Sequence, residues 1–517
     1  MSSVVDKLRK HPNFIKALLL SLLPLLACVI LCGIDGKMIW DVYLPLSEWN
    51  DEIFYYKQVE AMVEYGIPQG YFGFDESRAP YASFGAWNPL VLIPYVLWGW
   101  IFGWNLLSPI LCNIVLLMAA VFGYVLLVRP DKRQCFALVV LYMASMFTTR
   151  YCLSVMAEAI LMFYGILFLG FCISNRREAK KYKLFWAIFM VVQLALIRPY
   201  LLTLILWPAY EIYKKSKWKA CGIVVITGIG SIGLYFAIVG TICAPYFRSL
   251  INTDWIKTFF WAGPWEGIKF TIKQILDAGL EYLGMCLDGI RGVTERHGLA
   301  LQFLVILVVL CVQTIIELVK KKKDLYQHLL LTISFGGSLL ALLLLYQLHA
   351  GGRHLMLFVT MGVFIISHME GKRMGKVVVT AVLLAFAFIQ MPDRTLYERV
   401  PYETETAHEE YMQLKTALEE GMELKTEEVP SFDNAIIWTI SDMVEGESRE
   451  TYWQHLYAVP AGFGINCCSD GYVKHNFETL QCRYIMIPCD GDLEEMCKAA
   501  GKAEVARTEK TVIYDLK

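Results

Sequence analysis

One pattern limits what this chain of 517 residues can fold into: apolar stretches long enough to cross a bilayer recur along it, separated by clusters of Lys and Arg. A spanning helix needs about 20 apolar residues, fewer where it is short or broken and packed inside a bundle. Eleven stretches qualify, near 14–34, 106–128, 134–149, 151–174, 184–197, 200–212, 220–242, 299–319, 325–347, 354–370 and 374–391. Charged residues make up 18% of the chain, against about 25% in soluble proteins. That balance excludes disorder, a basic nucleic-acid binder, a disulfide mini-protein and an ordinary cytosolic enzyme. The first stretch is long for a secretion signal and no small-x-small cleavage site follows, so it is expected to stay as an anchor.

The short basic loops orient the bundle. With the amino terminus inside, six clusters all fall inside: Lys7/Arg9/Lys10, Arg129/Lys132/Arg133, Arg176/Arg177/Lys180/Lys181/Lys183, Lys214/Lys215/Lys217/Lys219, Lys320 to Lys323, and Lys372/Arg373/Lys376, which is 22 of 47 basic residues. The agreement requires that the apolar run Pro89 to Phe102 does not span. Its neighbourhood is rich in Trp and Tyr, as in a helix lying in the interface. Three pieces then face outward: the loops 35–105 and 243–298, and the segment 392–517. That last segment holds 25 acidic against 12 basic residues, which suits water and not lipid.

The expected architecture is therefore a mainly α membrane protein. Residues 1–391 form a domain of about eleven transmembrane helices with juxtamembrane helices in the first outer loop, and 392–517 form a small α+β extracytoplasmic domain. Within the latter, an acidic helix is expected over Glu403 to Glu420, strands at Ala435–Ile440, Tyr484–Ile487 and Thr511–Tyr514, and a helix over Leu493 to Ala500. Five cysteines, Cys467, Cys468, Cys482, Cys489 and Cys497, lie there, where oxidation allows up to two disulfides.

The first outer loop carries the densest chemistry. Asp51 and Glu52 open an amphipathic run with Ile53, Tyr56, Val59 and Val63 on one face and Lys57, Glu60 and Glu64 off it, a pattern that fits a helix on the membrane surface. A carboxylate at such a helix start is held ionised by the dipole, although Asp51 would also serve as a plain cap. A short tail, one span, this Asp-Glu loop, an aromatic Gly-rich stretch and then Trp87-Asn88-Pro89-Leu90 resemble the GT-C glycosyltransferases, which include protein O-mannosyltransferases and lipid A aminoarabinose transferases. Those loops often read His-Pro-Pro-Leu, so the match departs at Trp87-Asn88. Leu196-Ile197-Arg198-Pro199-Tyr200 resembles the Arg/Lys-Pro turn of that superfamily, and Gly351-Gly352-Arg353-His354-Leu355 an Arg-aromatic pair opening a late span.

The resemblance implies transfer of a sugar from a polyprenyl-phosphate carrier to a glycan, lipid or protein acceptor at the outer face of the cytoplasmic membrane, among membrane lipids and without nucleic acid. Phosphate is already a good leaving group, so the separate acid that glycosidases use is not needed. One base and some cations suffice. Asp51 is the expected base, acting with inversion. Arg198, Arg353 and His354 are the expected phosphate contacts, because a guanidinium matches phosphate oxygens, and Glu52, Tyr200 and Glu158 are placed with the substrate. Glu158 is expected about two turns inside its span, lining the carrier cavity or paired with Arg150 or Arg198. A divalent cation, Mg or Mn, is the one candidate cofactor, with Asp51 and Glu52 as its ligands.

The loop 243–298, with Arg296 and His297 among several Trp and Phe, is a further candidate for carrier or acceptor recognition. It also keeps open a surface-polysaccharide polymerase or ligase, which would rely on Arg296 and His297 where the first reading relies on Asp51. A multi-pass transporter is the rival of another class, and a structural or sensory membrane protein a third, although no clear internal repeat supports transport. Asp75, Glu76 and Arg78 are candidates for substrate or metal binding against a solvated loop. Gly228-Ile229-Gly230-Ser231-Ile232-Gly233 spells a dinucleotide fingerprint but lies inside an apolar span, where close helix packing is the expectation.

Overall fold

Prolines and a few polar side chains decide where the apolar stretches run as helix and where they break. The computed structural model describes residues 12–34, 36–41, 51–68, 72–76, 84, 88–243, 252–293, 295–320, 325–345, 352–370, 374–391, 404–422, 432–439, 442–444, 447–449 and 453–517. Lys7, Arg9, Lys10, Arg78, Trp87, Lys321 to Lys323, Gly351, Lys372 and Arg373, and the side chains of Asp51 and Arg296, lie outside the described residues.

In chain order the helices are α1 (Pro12–Ile34, with a turn at Leu22), α2 (Asp51–Tyr65), α3 (Ile93–Phe102), α4 (Ser108–Val128), α5 (Lys132–Ala144), α6 (Glu158–Arg177), α7 (Lys181–Ile197), α8 (Leu206–Tyr213) and α9 (Lys217–Thr241). There follow α10 (Asp254–Trp261), α11 (Pro264–Arg291), α12 (Glu295–Val319), α13 (Leu325–Leu345), α14 (Met356–Glu370), α15 (Met374–Ile389), α16 (Thr404–Gly421), α17 (Asp470–Asn476) and α18 (Asp492–Ala499). Among the described residues seven helices are long and apolar enough to span, drawn from α1, α4, α6, α9, α12, α13 and α14. The chain is a mainly α, multi-pass membrane protein.

The other expected spans are shorter or broken. α15 is a short apolar helix, as is Pro89–Phe102, the run expected not to span. The stretch 200–212 is a 3-10 run, Pro199–Ile205, followed by α8. The stretch 151–174 begins as the end of another 3-10 run, Met146–Leu153, and turns α-helical only at Glu158.

Irregular backbone at this depth needs its polar groups satisfied by protein. Asn113 on α4 does much of that: its Nδ2 donates to the carbonyls of Cys152 (3.2 Å) and Ser154 (2.6 Å), while its Oδ1 accepts from the Tyr95 hydroxyl (2.7 Å). Glu158 is consequently the first residue of its helix, and not two turns inside it.

The described helix ends sort into two layers. At one end Lys16 donates to the Pro130 carbonyl (3.3 Å), Arg177 to that of Val128, and Gln134 to that of His368 (2.7 Å). Glu317 and His328 pair there, and Lys376 donates to Gln313 (2.7 Å). The Arg129/Lys132/Arg133 and Arg176/Arg177 clusters thus share this end. The fingerprint glycines sit within the unbroken helix α9; Gly228 approaches Leu202, while Gly230 and Gly233 meet nothing within 4 Å, so the close packing expected there is not formed.

At the opposite end stands a six-stranded sheet in the order β1-β5-β2-β6-β8-β7, built from β1 (Phe72–Phe74), β2 (Ala435–Thr439), β5 (Gly464–Cys468), β6 (Tyr484–Pro488), β7 (Ala503–Arg507) and β8 (Thr511–Asp515). A separate hairpin pairs β3 (Asp442–Val444) with β4 (Glu447–Arg449). The first four strands of the sheet are parallel and the last two antiparallel. The three expected strands and both expected helices are present. Cys467, Cys468, Cys482, Cys489 and Cys497 are thiols, so no disulfide is made among them.

Strand β1 belongs to the first outer loop, so the sheet is not confined to 392–517. It pairs with β5 in register Phe72↔Ile465, Gly73↔Asn466 and Phe74↔Cys467. The chain then turns through Asp75 and Glu76, both in the left-handed region (φ 47 and 56). Only a tight tertiary fit holds non-glycine residues there. Glu76 supplies it: Oε1 accepts from the backbone N–H of Gln481 (2.8 Å) and Cys482 (2.7 Å), and Oε2 from the Tyr472 hydroxyl (3.4 Å). Glu76 is therefore a buried staple and not part of a solvated loop.

Glu76→Ala leaves two N–H groups without an acceptor and should lower the thermal stability of the sheet by about 2 kcal/mol, with Glu76→Gln, which keeps one amide oxygen, losing less. Equal melting of both variants and the parent would show that the staple carries no load.

Candidate functional site

Three stretches far apart in sequence meet at the sheet end of the bundle, each delivered by a break in helix. Pro199 cannot continue α7 and drives Arg198 into extended backbone (φ −138, ψ 99) at the helix end. Arg353 sits in the 3-10 turn Gly352–Leu355 that opens α14. Glu158 is the first residue of α6.

The Glu158 carboxylate bridges the two guanidiniums, with Oε1 at 3.6 Å from Arg198 Nη2 and 3.8 Å from Arg353 Nε. All three side chains are buried, Glu158 3% and Arg198 2% exposed. The sequence offered Arg150 or Arg198 as the partner of Glu158; Arg198 is one, and Arg353 is a second that the sequence did not suggest. Arg150 is buried on the adjoining 3-10 run, its guanidinium 5.9 Å from the Tyr151 ring centre.

Around this pair the other named residues gather. The Tyr200 hydroxyl and His354 Nδ1 are 3.0 Å apart, joining the Arg198 turn to the Arg353 turn a second time. Arg353 Nη1 lies 3.9 Å from Met156 Sδ. Asn88 caps the turn before α3 by accepting from Leu90 N–H (2.9 Å) and donates through Nδ2 to the Leu196 carbonyl (2.8 Å), two residues from Arg198.

Glu52 reaches the same region. It is fully buried, and its Oε1 accepts from Val155 N–H (2.9 Å), three residues before Glu158. Asp51 is the first residue of α2 and precedes Glu52 directly. His297 sits apart from these turns in the chain, where α11 gives way to α12, its carbonyl against Gly289.

Helix α2 does not lie on a surface. Residues 52–59 are all buried, including Lys57, so only the Glu60 and Glu64 end of the expected polar face keeps any exposure. Lys57 is accommodated because its ammonium donates to the carbonyls of Tyr457 (3.5 Å) and Val459 and to Glu60. Tyr56 packs edge-on against Tyr457, ring centres 5.1 Å apart, and its carbonyl accepts from Trp104 Nε1 (3.3 Å). The helix that begins at Asp51 is thus gripped between α3 and the 3-10 turn Trp453–Ala458 of the carboxy-terminal domain.

Behind that turn, His455 Nε2 contacts Glu410 Oε2 at 2.9 Å. Burial lowers the His455 pKa below its ordinary value, and Lys510 adds to this, outweighing the pull of Glu410.

Asn113, Tyr95 and Met156 were not singled out from sequence. An Asn within the apolar run of α4 is the one signal that pointed there, since a polar side chain in a span is expensive unless it has work to do. Among the described residues no group of three or more His, Cys, Asp or Glu comes together as a metal site. Glu52 accepts the Val155 N–H through Oε1, and the side chain of Asp51, the other ligand expected for a divalent cation, lies outside the described residues.

No protein-family model matches the chain, and no curated protein matches it. Among solved structures it is similar to the archaeal oligosaccharyltransferase AglB from Archaeoglobus fulgidus, in complex with an inhibitory peptide and a dolichol-phosphate (TM-score 0.48, 12% identity, 93% of this chain and 70% of that one). It is also similar to ArnT from Cupriavidus metallidurans bound to undecaprenyl phosphate (TM-score 0.40, 9% identity, 96% and 97%) and in the apo state (0.37, 9%, 95% and 96%). Each is a distant likeness.

Two outcomes follow from the charges. Glu158→Gln strands two buried guanidiniums and should cost about 3–5 kcal/mol, read as loss of monodisperse protein on gel filtration, with Glu158→Gln combined with Arg198→Gln recovering part of it. Because the folded pKa of His455 lies below the unfolded value, its contribution is complete above about pH 6.5 and drains away as pH falls. Protease release of the carboxy-terminal domain should be constant above about pH 6.5 and accelerate below it, and His455→Gln should flatten that dependence.

Proposed function

We propose that this chain is a membrane glycosyltransferase of the GT-C type, taking a sugar from a polyprenyl-phosphate carrier and delivering it to an acceptor at the outer face of the cytoplasmic membrane. The observation that carries the reading is the buried Arg198–Glu158–Arg353 bridge beside the start of α2, because it puts guanidiniums and a candidate base at one end of an apolar bundle. Two guanidiniums that share one carboxylate are a setting into which a phosphate fits.

In this mechanism the Asp51 carboxylate takes the proton from an acceptor hydroxyl. The hydroxyl oxygen bonds to the anomeric carbon from the face opposite the carrier, the bond to the phosphate oxygen breaks, and the phosphate leaves with the electron pair. Arg198 and Arg353 stabilise charge growing on that phosphate, with His354, oriented by Tyr200, alongside. Glu158 holds the two guanidiniums in place. Glu52 acts on the substrate through the segment it anchors at Val155. The amino terminus is inside and the carboxy-terminal domain outside, which puts the basic helix ends at the cytoplasmic face. That domain works as a clamp on α2, through Lys57, Tyr56 and β1.

Asp51→Asn tests the assignment with the purified chain and lipid-linked sugar: transfer should fall by about 10²–10⁴-fold at unchanged membrane abundance. Undiminished transfer would remove Asp51 from the mechanism. Arg353→Lys, which keeps the charge but not the planar fork, should lower transfer while leaving folded protein intact.

A further inference from the structure

Helix α11 is the longest helix outside the spans, 28 residues from Pro264 to Arg291, about 42 Å at the α-helical rise. It does not cross the bundle. Gln274 donates to the carbonyl of Leu344 at the end of α13, the Tyr282 hydroxyl to that of Ala300 at the start of α12, and Gly292 meets the Gln390 carbonyl just past α15. Those three helix ends all lie in the layer opposite the basic clusters, so α11 runs across it, at the level where the apolar spans stop.

Its residues fall on three faces of the helical wheel. Gly267, Tyr282, Met285, Cys286 and Gly289 form the packed face, with Gly289 so near the His297 carbonyl that no Cβ would fit. Glu266, Lys273, Asp277, Glu281, Asp288 and Arg291 form a charged face, with Lys269 at its border with the apolar flank and pairs at Glu266–Lys269 (2.8 Å) and Asp288–Arg291 (3.3 Å). Between them Ile272, Leu276, Leu280, Leu283, Leu287 and Ile290 make an apolar flank that is exposed along its whole length, Leu280 by 67%. At the corner where α10 meets α11, Phe260, Trp261 and Trp265 are exposed as well, Trp261 by 88%.

We propose that this flank is a bilayer contact: α11 lies in the outer boundary of the membrane with Leu276, Leu283 and Ile290 in the acyl region and its charged face in water. Three things select lipid as the occupant. A helix packed on one side, charged on another and apolar on the third fits the boundary between hydrocarbon and water. The apolar flank sits at the level where the lipid-facing surface of α15, exposed at Val378, Val379, Val382 and Leu383, comes to its end. Trp and Phe at the corner are the residue types that anchor at headgroup level. With three basic and four acidic residues on α11, the contact is apolar and takes no help from anionic headgroups.

The test uses the full chain carrying Cys221→Ser, in nanodiscs of phosphatidylcholine, with one reporter cysteine at a time and a membrane-impermeant charged maleimide. Leu276→Cys, Leu283→Cys and Ile290→Cys should react about ten-fold more slowly than Lys273→Cys and Asp277→Cys, and replacing a third of the lipid by phosphatidylglycerol should not change the pattern. A fluorophore on Leu283→Cys should be quenched by brominated lipid. Equal labelling on both flanks overturns the proposal. So does protection without lipid quenching, or protection that vanishes when discs hold a single chain, since a protein partner or a second copy would then be covering the flank.

Discussion

The site rests on a charge problem solved inside apolar surroundings. Glu158, Arg198 and Arg353 come from three separate breaks in helix, and each would be prohibitively costly to bury alone. With both guanidiniums within 4 Å of the one carboxylate they offset that cost, and they therefore oblige the starts of α6 and α14 and the end of α7 to meet at one place. Tyr200 with His354, and Asn88 with the Leu196 carbonyl, reinforce the same junction with ordinary hydrogen bonds. Helix packing alone, which in lipid lacks a hydrophobic driving force, would specify this meeting far less sharply.

A second tier of contacts ties that junction to the water-exposed domain. Glu52 anchors Val155, Lys57 ends on the carbonyls of Tyr457 and Val459, and β1 with its Glu76 staple is woven into the sheet. The first two turns of helix α2 are consequently enclosed, and the backbone at its start, Asp51, is held by the domain at the other end of the chain. A separable carboxy-terminal module would not do this; a sheet whose edge strand comes from residue 72 does.

Much of the layout was legible in the sequence. Apolar length marked the seven helices long enough to span among the described residues, because a bilayer imposes a length, and the strands at 435, 484 and 511 announced themselves as buried β-branched and aromatic runs bounded by turn residues. Arg198 before Pro199 and Arg353 before His354 were marked by the same breaks that place them. Three readings went astray for one reason, which is that periodicity reports a residue's face and not its neighbours. Helix α2 has an amphipathic pattern, yet its Lys57 is buried by carbonyls 400 residues away. Glu158 lies in an apolar run that Asn113 holds out of α-helix. The glycines of α9 have the spacing of a packing seam, yet among the described residues Gly230 and Gly233 meet nothing within 4 Å.

The sequence by itself determined that this is a membrane bundle with a water-exposed α+β end, since hydrophobic length and charge segregation act locally and need no partner to be read. Only the tertiary structure decided which carboxylate meets which guanidinium, that a strand of the first loop completes the distant sheet, and that α11 lies across the helix ends. Those outcomes depend on where unsatisfied charges and backbone groups find counterparts, and the counterparts are tens to hundreds of residues away.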